Sequence, residues 1–290
     1  MRLAFLGTPE AAVPALEALV NAGYDVSLVI TQPDRRRGRG AELTPSSVKR
    51  TASALGIPVS HYLGDLYEYD VERAVVVAYG VIIPEALLIK VPMLNVHFSR
   101  LPRWRGAAPV ERAILAGDRE TGVSVISLEP TLDSGPVHIE RSVRVGEKTA
   151  RALTAELAAL GAAALLEVLA SEELLEHPRA QVGDVTYAKK ITKETLHLGP
   201  EMSTVLVLRT VRLGGANFFV ATKRVGVVSA HSSEVDLSPG RLTLVEGEVV
   251  LGTLDGAVTL DDVRPAGSST MSAHAWWSGL RGSKDDLQWH

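Results

Sequence analysis

The 290-residue chain predicts an α/β domain built on a doubly wound parallel sheet, followed by a smaller β-barrel or sandwich. Three observations lead there. An apolar strand, a helix of 3.6-residue period and a second apolar strand open the chain as a βαβ unit. Two later apolar runs break off into polar loops marked by Gly or Pro. That is the pattern of buried parallel strands, whose carboxyl ends carry the ligands of open α/β sheets. After about residue 205 the pattern changes to short β-rich runs separated by Gly, Pro and Asp, as in small all-β domains.

Taken in order, Arg2–Leu6 is the first strand and Glu10–Ala22 the first helix, with Thr8 as its N-cap and Pro9 at N1. Val26–Ile30 is the second strand. Gly7 is the only glycine in the turn between strand and helix, so the GxGxxG fingerprint of nicotinamide dinucleotide proteins is absent. Thr31–Pro45 reads as a loop, Ser46–Leu55 as a helix and Gly56–Val59 as the lead into a strand. Ala74–Ala78 and Met93–His97 are strands that stop at one edge, at Tyr79-Gly80 and before Phe98. Gly106–Leu115 should be helical, and Gly122–Leu128 and Val137–Val143 are strands around the turn Leu132–Pro136. Lys148–Ser171 has the Ala/Leu period of a long helix that covers one sheet face. These elements fill a domain over residues 1–175. A polar linker over 176–204 and a second domain over 205–290 follow, the latter with strands at Phe218–Thr222, Arg224–Ser229, Leu242–Val245, Val249–Leu251 and Val258–Leu260. The aromatics Phe218, Phe219, Trp276 and Trp277 read as core of that second domain.

With 46% hydrophobic and 22% charged residues the composition is that of a soluble globular protein. There is no uninterrupted apolar run of about 18 residues, so no membrane span is expected. The absence of cysteine excludes disulfide and thiol chemistry and suits the cytoplasm. The net charge of −4 argues against broad non-specific binding of nucleic acid. Yet Gln32 to Arg50 holds Arg35, Arg36, Arg37, Arg39, Lys49 and Arg50 against Asp34 and Glu42, a local +4 on a body of −8. Such a loop suits phosphate contacts with a nucleic acid. It reads equally as a solvated face.

The candidate chemistry sits at Asn95-Val96-His97. Two residues apart on a strand, the carboxamide and the imidazole project from one face. Asn95 can donate to a developing oxyanion, His97 can stabilise that oxygen or relay a proton, and Asp133 from the later turn can orient and charge-stabilise the imidazole. No Ser or Cys nucleophile is needed, so direct acyl transfer between two bound substrates is the simplest scheme. Taken alone, a strand-end histidine is more often a structural hydrogen-bonder. A metal on His97 and Asp133 would have two ligands where zinc takes three or four.

The run NVHFSRLPRWRGAAPVERAILAGDRETGVSVISLEPTLDSGP resembles the formyltransferases that use 10-formyltetrahydrofolate, in particular those that act on methionyl-tRNA. FLGTPEAAVPALEAL, TQPDRRRGRGAELTPSSVK, VVVAYGVIIPEALL and VRPAGSSTMSAHAW agree with the same family. The resemblance implies a Rossmann-like catalytic domain followed by an OB-like β-barrel. It implies a catalytic trio of Asn95, His97 and Asp133. It implies a folate wall of Tyr79, Gly80, Ser99, Leu101, Pro102, Arg105, Gly106 and Ala107, and tRNA contacts from Arg35, Arg36, Arg37, Arg39 and Lys49. The implied donor is 10-formyltetrahydrofolate as co-substrate, with no metal, and the implied acceptor is initiator methionyl-tRNA, bound by a cytoplasmic monomer. The TQPDR…GRG insertion joined to RWRGAAP favours tRNA over an amino-sugar nucleotide, the acceptor of related enzymes. A non-catalytic RNA-binding relative is the remaining alternative. The chain departs from the family at Arg100, where Leu is usual, in a shortened segment between Val59 and Ala74, at Ser268-Ser269, and in the −2 charge of residues 200–290.

Overall fold

The computed structural model describes residues 1–37, 42–280, 284 and 287–290. It divides into two compact units. One comprises Met1–Val110, Arg119–Val145 and Ala152–Lys189, and the other Glu111–Asp118, Gly146–Arg151 and Lys190–His290.

From the amino end the elements are β1 (Arg2–Gly7), α1 (Val13–Asn21), β2 (Asp25–Ile30), β3 (Arg35–Arg37), β4 (Glu42–Thr44), α2 (Ser47–Ala54), β5 (Val59–Ser60), β6 (Arg73–Val77), α3 (Glu85–Lys90) and β7 (Met93–His97). Then come β8 (Arg105–Gly106), α4 (Pro109–Ala116), β9 (Glu120–Ser127), β10 (Val137–Arg144), α5 (Ala150–Ala170), α6 (Glu172–Glu176) and β11 (Tyr187–Ala188). Seven strands form one sheet in the order β10-β9-β7-β6-β1-β2-β5. The strand order reverses direction between β1 and β6, the switch point at which open α/β sheets bind ligands.

The sheet is mixed, where the sequence predicts a parallel one. β5, β2, β1, β6 and β7 are parallel, but β9 runs antiparallel to β7 and β10 antiparallel to β9. The stretch between β9 and β10 is too short for a parallel crossover, which needs a dozen residues or more.

The first helix also begins differently. A 3-10 turn at Glu10–Ala12 precedes α1, neither has a side-chain cap, and Pro14 occupies the first turn. Thr8 does not cap. Its hydroxyl donates to the Tyr79 carbonyl (3.2 Å) and accepts from the Gln32 N–H (3.4 Å), tying together the chain just past β1, β2 and β6. The basic stretch, predicted as loop, contains the hairpin β3–β4, with Arg35 opposite Thr44. A 3-10 turn at Leu63–Tyr67 occupies the shortened crossover, with Leu66 fully buried beneath it.

α5 fits the sequence expectation of a covering helix, and a glycine shows how. A Cβ on Gly161 would stand 2.6 Å from Val96 Cγ1 and 3.3 Å from Val123 Cγ1, so the bare backbone lies directly on β7 and β9. Leu153, Leu157, Leu165 and Val168 are fully buried along it. By length and composition alone α5 could also cross a bilayer (21 residues, mean hydropathy 1.8).

The second unit contains α7 (Thr204–Leu213), β12 (Asn217–Val220), β13 (Lys223–Ser233), β14 (Leu242–Val245), β15 (Glu248–Thr253), β16 (Gly256–Pro265), β17 (Met271–Ser272) and α8 (Ala273–Ser278). α7 occupies the start of a stretch predicted to be β throughout. Its Val-rich sequence reads as strand, yet Val207, Thr210 and Val211 are buried at helical spacing and the Ser203 hydroxyl caps the first turn. The antiparallel sheet runs β12-β13-β16-β15-β14, with β17 on β16. Phe218, Trp276, Trp277 and Trp289 form its core, as predicted for the first three; Phe219 is only half-buried. β12 and β14 do not pair with each other among the described residues. Instead the 287–290 segment bonds to both margins. His290 exchanges hydrogen bonds with Phe219 (2.6 and 3.0 Å), the Trp289 N–H donates to Gly240, and the Leu287 carbonyl accepts from Leu242.

Candidate active site

β7 lies inside the first unit's sheet between β6 and β9, with Asn95 opposite Val76 on one side and Ile126 on the other. Val96 faces α5, so alternation puts Asn95 and His97 on the opposite face. Both are nearly buried, at 9% and 7% exposure. Among the described residues no protein group bonds the Asn95 carboxamide, although its neighbours are tied down.

Past β7 the chain makes a turn held by serines. The Ser124 hydroxyl donates to the Ser99 carbonyl (2.9 Å) and accepts from the Leu101 N–H (3.1 Å). The Ser99 hydroxyl donates to the Arg103 carbonyl (2.6 Å). The Leu101–Pro102 peptide is cis and Trp104 adopts φ +65°. This turn delivers the Trp104 carbonyl to His97 Nε2 at 2.8 Å.

Asp133 comes from the connection between β9 and β10, with φ +48°. Its Oδ2 accepts from the Gly106 N–H at 2.8 Å and lies 3.7 Å from His97 Nδ1. Gly135 follows because the turn passes against β9: a Cβ there would collide with the Ser127 carbonyl. The three residues of the predicted trio are therefore brought together, with Asp133 bonded to backbone rather than directly to the imidazole.

The residues expected at a folate wall divide in two. Ser99 is fully buried and Leu101 is 5% exposed, packed with Ile126 and Val137, and both build the turn. Tyr79 closes β6 and is 4% exposed; burial pushes its phenol above the usual range, against a hydrogen bond with Gln32. Gly80 follows with φ +79°. Pro102 is buried, Ala107 exposed, and Arg105 and Gly106 half-buried in β8. The Arg105 guanidinium donates through Nε and Nη2 to Gln181 Oε1 (3.1 and 2.6 Å).

Of the basic residues, Arg35 and Arg36 are exposed on β3, Arg37 ends that strand, and Arg39 lies outside the described residues. Lys49 is engaged: its ammonium bonds both Asp34 oxygens at 2.9 and 2.8 Å. Arg100 is exposed and pairs with Glu140 (2.7 Å) and Glu120 (3.8 Å). Among the described residues no group of three or more His, Asp and Glu is gathered as a metal would need.

Sequence reasoning passes over two features of this region. His138 is buried, its Nδ1–H donating to the Leu174 carbonyl (2.8 Å) and its Nε2 accepting from the Ser127 hydroxyl (2.8 Å). The second is the stretch from Arg179 to Ala188, part of the segment read as linker. Arg179 bridges Val137, the Thr186 hydroxyl accepts from Trp104 N–H (2.8 Å), and the Ala188 carbonyl accepts from Ala107 N–H (2.9 Å). Its polar, mixed composition carries no periodic signal that could have announced this.

A family model described as formyl transferase matches residues 1–169, and one described as formyl transferase, C-terminal domain, matches 190–281. The methionyl-tRNA formyltransferase of Roseobacter denitrificans is 42% identical over 96% of both chains. That of Novosphingobium aromaticivorans is 43% identical over 93% of this chain and 94% of its own. In fold, the chain is similar to HypX from Aquifex aeolicus, solved in complex with tetrahydrofolic acid (TM-score 0.68, 20% identity, 99% of this chain and 50% of that one). The chain belongs to the methionyl-tRNA formyltransferase family.

Proposed function

We infer that this protein transfers the formyl group of 10-formyltetrahydrofolate to the α-amino group of methionyl-tRNA, giving initiator formylmethionyl-tRNA. The near full-length similarity to curated methionyl-tRNA formyltransferases carries this reading. An unpartnered carboxamide beside a His–Asp pair at the end of β7 supplies the chemistry it needs.

The α-amino group attacks as its neutral form, and a pKa of about 8 leaves a useful neutral fraction near neutrality. Its nitrogen forms a bond to the formyl carbon, the carbonyl oxygen takes up negative charge, and the bond from that carbon to the folate N10 then breaks. The amine loses a proton and N10 gains one. Asn95 donates to the oxyanion, a contribution of about 3–4 kcal/mol for a preorganised donor. A carbonyl oxygen only accepts, so the Trp104 contact fixes the neutral imidazole of His97 as its Nε2–H form. The free lone pair is then on Nδ1, the nitrogen facing Asp133. A proton taken up there makes an imidazolium paired with a carboxylate, so of the two roles expected for His97 the relay fits best.

The folate is placed along Tyr79, Gly80, Pro102, Arg105, Gly106 and Ala107, and the acceptor stem along Arg35, Arg36, Arg37 and Arg39. The catalytic domain spans 1–175, the linker 176–204 and the C-terminal domain 205–290. The second unit is read as an OB-like barrel in which the 287–290 segment joins the margins at β12 and β14. The protein acts as a cytoplasmic monomer, away from membranes and without a metal. Labelled formyl donor offered with either charged tRNA or an amino-sugar nucleotide tests the assignment. Label in the charged tRNA supports it, and label in the sugar alone overturns it.

A further inference from the structure

Gln181 lies in the stretch between the two family matches, and its side chain connects the two arms of the active site. Its Nε2 donates to the Asp133 carbonyl (2.8 Å) and to the Gly135 carbonyl (2.9 Å). Its Oε1 accepts from Arg105 Nε and Nη2 (3.1 and 2.6 Å). The partners dictate the orientation of the amide, because two carbonyl oxygens need a donor and a guanidinium needs an acceptor. An uncharged carboxamide serves both at once, where Glu lacks the donors and Lys the acceptor.

What it holds needs holding. Asp133 is a non-glycine residue at φ +48°, a conformation that persists only when the surroundings impose it. The same turn aims Oδ2 at the Gly106 N–H and places it 3.7 Å from His97 Nδ1. Arg105 is the residue just before Gly106, so the arm that receives Asp133 and the arm that presents it meet at one amide. We propose that Gln181 is a positioning residue for formyl transfer, setting the Asp133 turn against His97 through its donors and the Arg105 side chain through its acceptor.

This rests on the formyl-transfer reading above, and two substitutions separate its parts. Gln181→Glu keeps an acceptor for Arg105 and removes the donors from the Asp133 turn. Gln181→Met removes both. In steady-state formylation of methionyl-tRNA, Gln181→Glu should lower kcat about 10- to 100-fold, the penalty of a misplaced catalytic group. Its KM for 10-formyltetrahydrofolate should stay within about twofold of wild type. Gln181→Met should lower kcat as much and also raise that KM. A Gln181→Glu enzyme with wild-type kcat overturns the proposal. Should Gln181→Met fail to fold, Gln181→Glu carries the test alone. Hydrogen exchange at the Gly106 amide gives a readout that does not need turnover. It should quicken in Gln181→Glu, and an unchanged rate overturns the positioning role even if the protein formylates some other amine. Wild-type enzyme that leaves charged tRNA unformylated overturns the functional reading instead.

Discussion

The imidazole Nε2 of His97 lies 2.8 Å from the carbonyl oxygen of Trp104, seven residues further along the chain. The bond occupies one ring nitrogen and leaves the other 3.7 Å from Asp133. It also means that the turn from Phe98 to Trp104, held by Ser99 and Ser124, fixes the imidazole's plane. Asn95→Ala, His97→Ala and Asp133→Ala should each lower kcat about 100-fold or more while the fold is kept. Single-turnover formylation with circular dichroism as the folding control would measure this. Near wild-type turnover in any one of them removes that residue from the mechanism.

Lys49 and the arginines of the β3–β4 hairpin should separate. Lys49 is bonded to both oxygens of Asp34, with each side chain under one-third exposed, and the pair fixes the base of the hairpin to α2. Its loss should cost about 1 kcal/mol of stability at most. Arg35→Ala, Arg36→Ala and Arg39→Ala should raise KM for tRNA and leave KM for the folate alone. If Lys49→Ala raises KM for tRNA as strongly as Arg39→Ala does, Lys49 also meets the nucleic acid. If none of the arginines matters, the hairpin is only a solvated face.

His138 makes stability depend on pH. Burial holds its pKa below the ordinary 6.5, and Arg73 pushes the same way, against the Leu174 carbonyl and Glu176. As pH falls from 6.5 the unfolded chain takes up this proton before the folded one does. The contribution is therefore complete above that value, declines as pH drops toward the lowered folded-state pKa, and levels off below it. Urea titrations between about pH 8 and pH 5 should show this decline in the wild type and a shallower one in His138→Gln. Parallel slopes in the two proteins would sink the idea.

Much of the first unit is legible in its sequence. β7 is predicted at its observed bounds, and Ser46, read as the first residue of a helix, turns out to cap α2. The trio at its end comes from the family resemblance, since Asn-x-His by itself points as readily to a structural histidine. Strand direction is less accessible, because an apolar run looks the same running either way. Only the short connection that carries Asp133 betrays the antiparallel β10. α7 escapes because its β-branched residues favour strand locally, and burial against the second sheet overrides them. Gln181 escapes for a different reason: its partners are two backbone carbonyls and a guanidinium 46 to 76 positions away, and no local pattern encodes them.

Gly161 tests the packing of α5. Alanine gains about 1 kcal/mol of helix propensity over glycine. Its methyl would stand 2.6 Å from Val96 Cγ1, and overpacking of this kind costs about 1–3 kcal/mol. Gly161→Ala should therefore lower stability, and Gly161→Val should lower it further. Because Val96 sits between Asn95 and His97, a shift of β7 should also appear as reduced kcat. A melting temperature at or above wild type in Gly161→Ala would mean that α5 does not press on the strand.

The stretch from Arg179 to Ala188 has a consequence for dissecting the chain. Cutting after residue 175, or at the end of the first family match, would leave Asn95, His97 and Asp133 all present. It would remove the Gln181 amide, the Thr186 hydroxyl and the Ala188 carbonyl that hold their surroundings. Such a fragment would lose activity, and the loss would be read as proof that catalysis depends on the second half. A fragment that extends through Lys189, the last residue of the first unit, is the fair comparison, because it keeps all three of those groups.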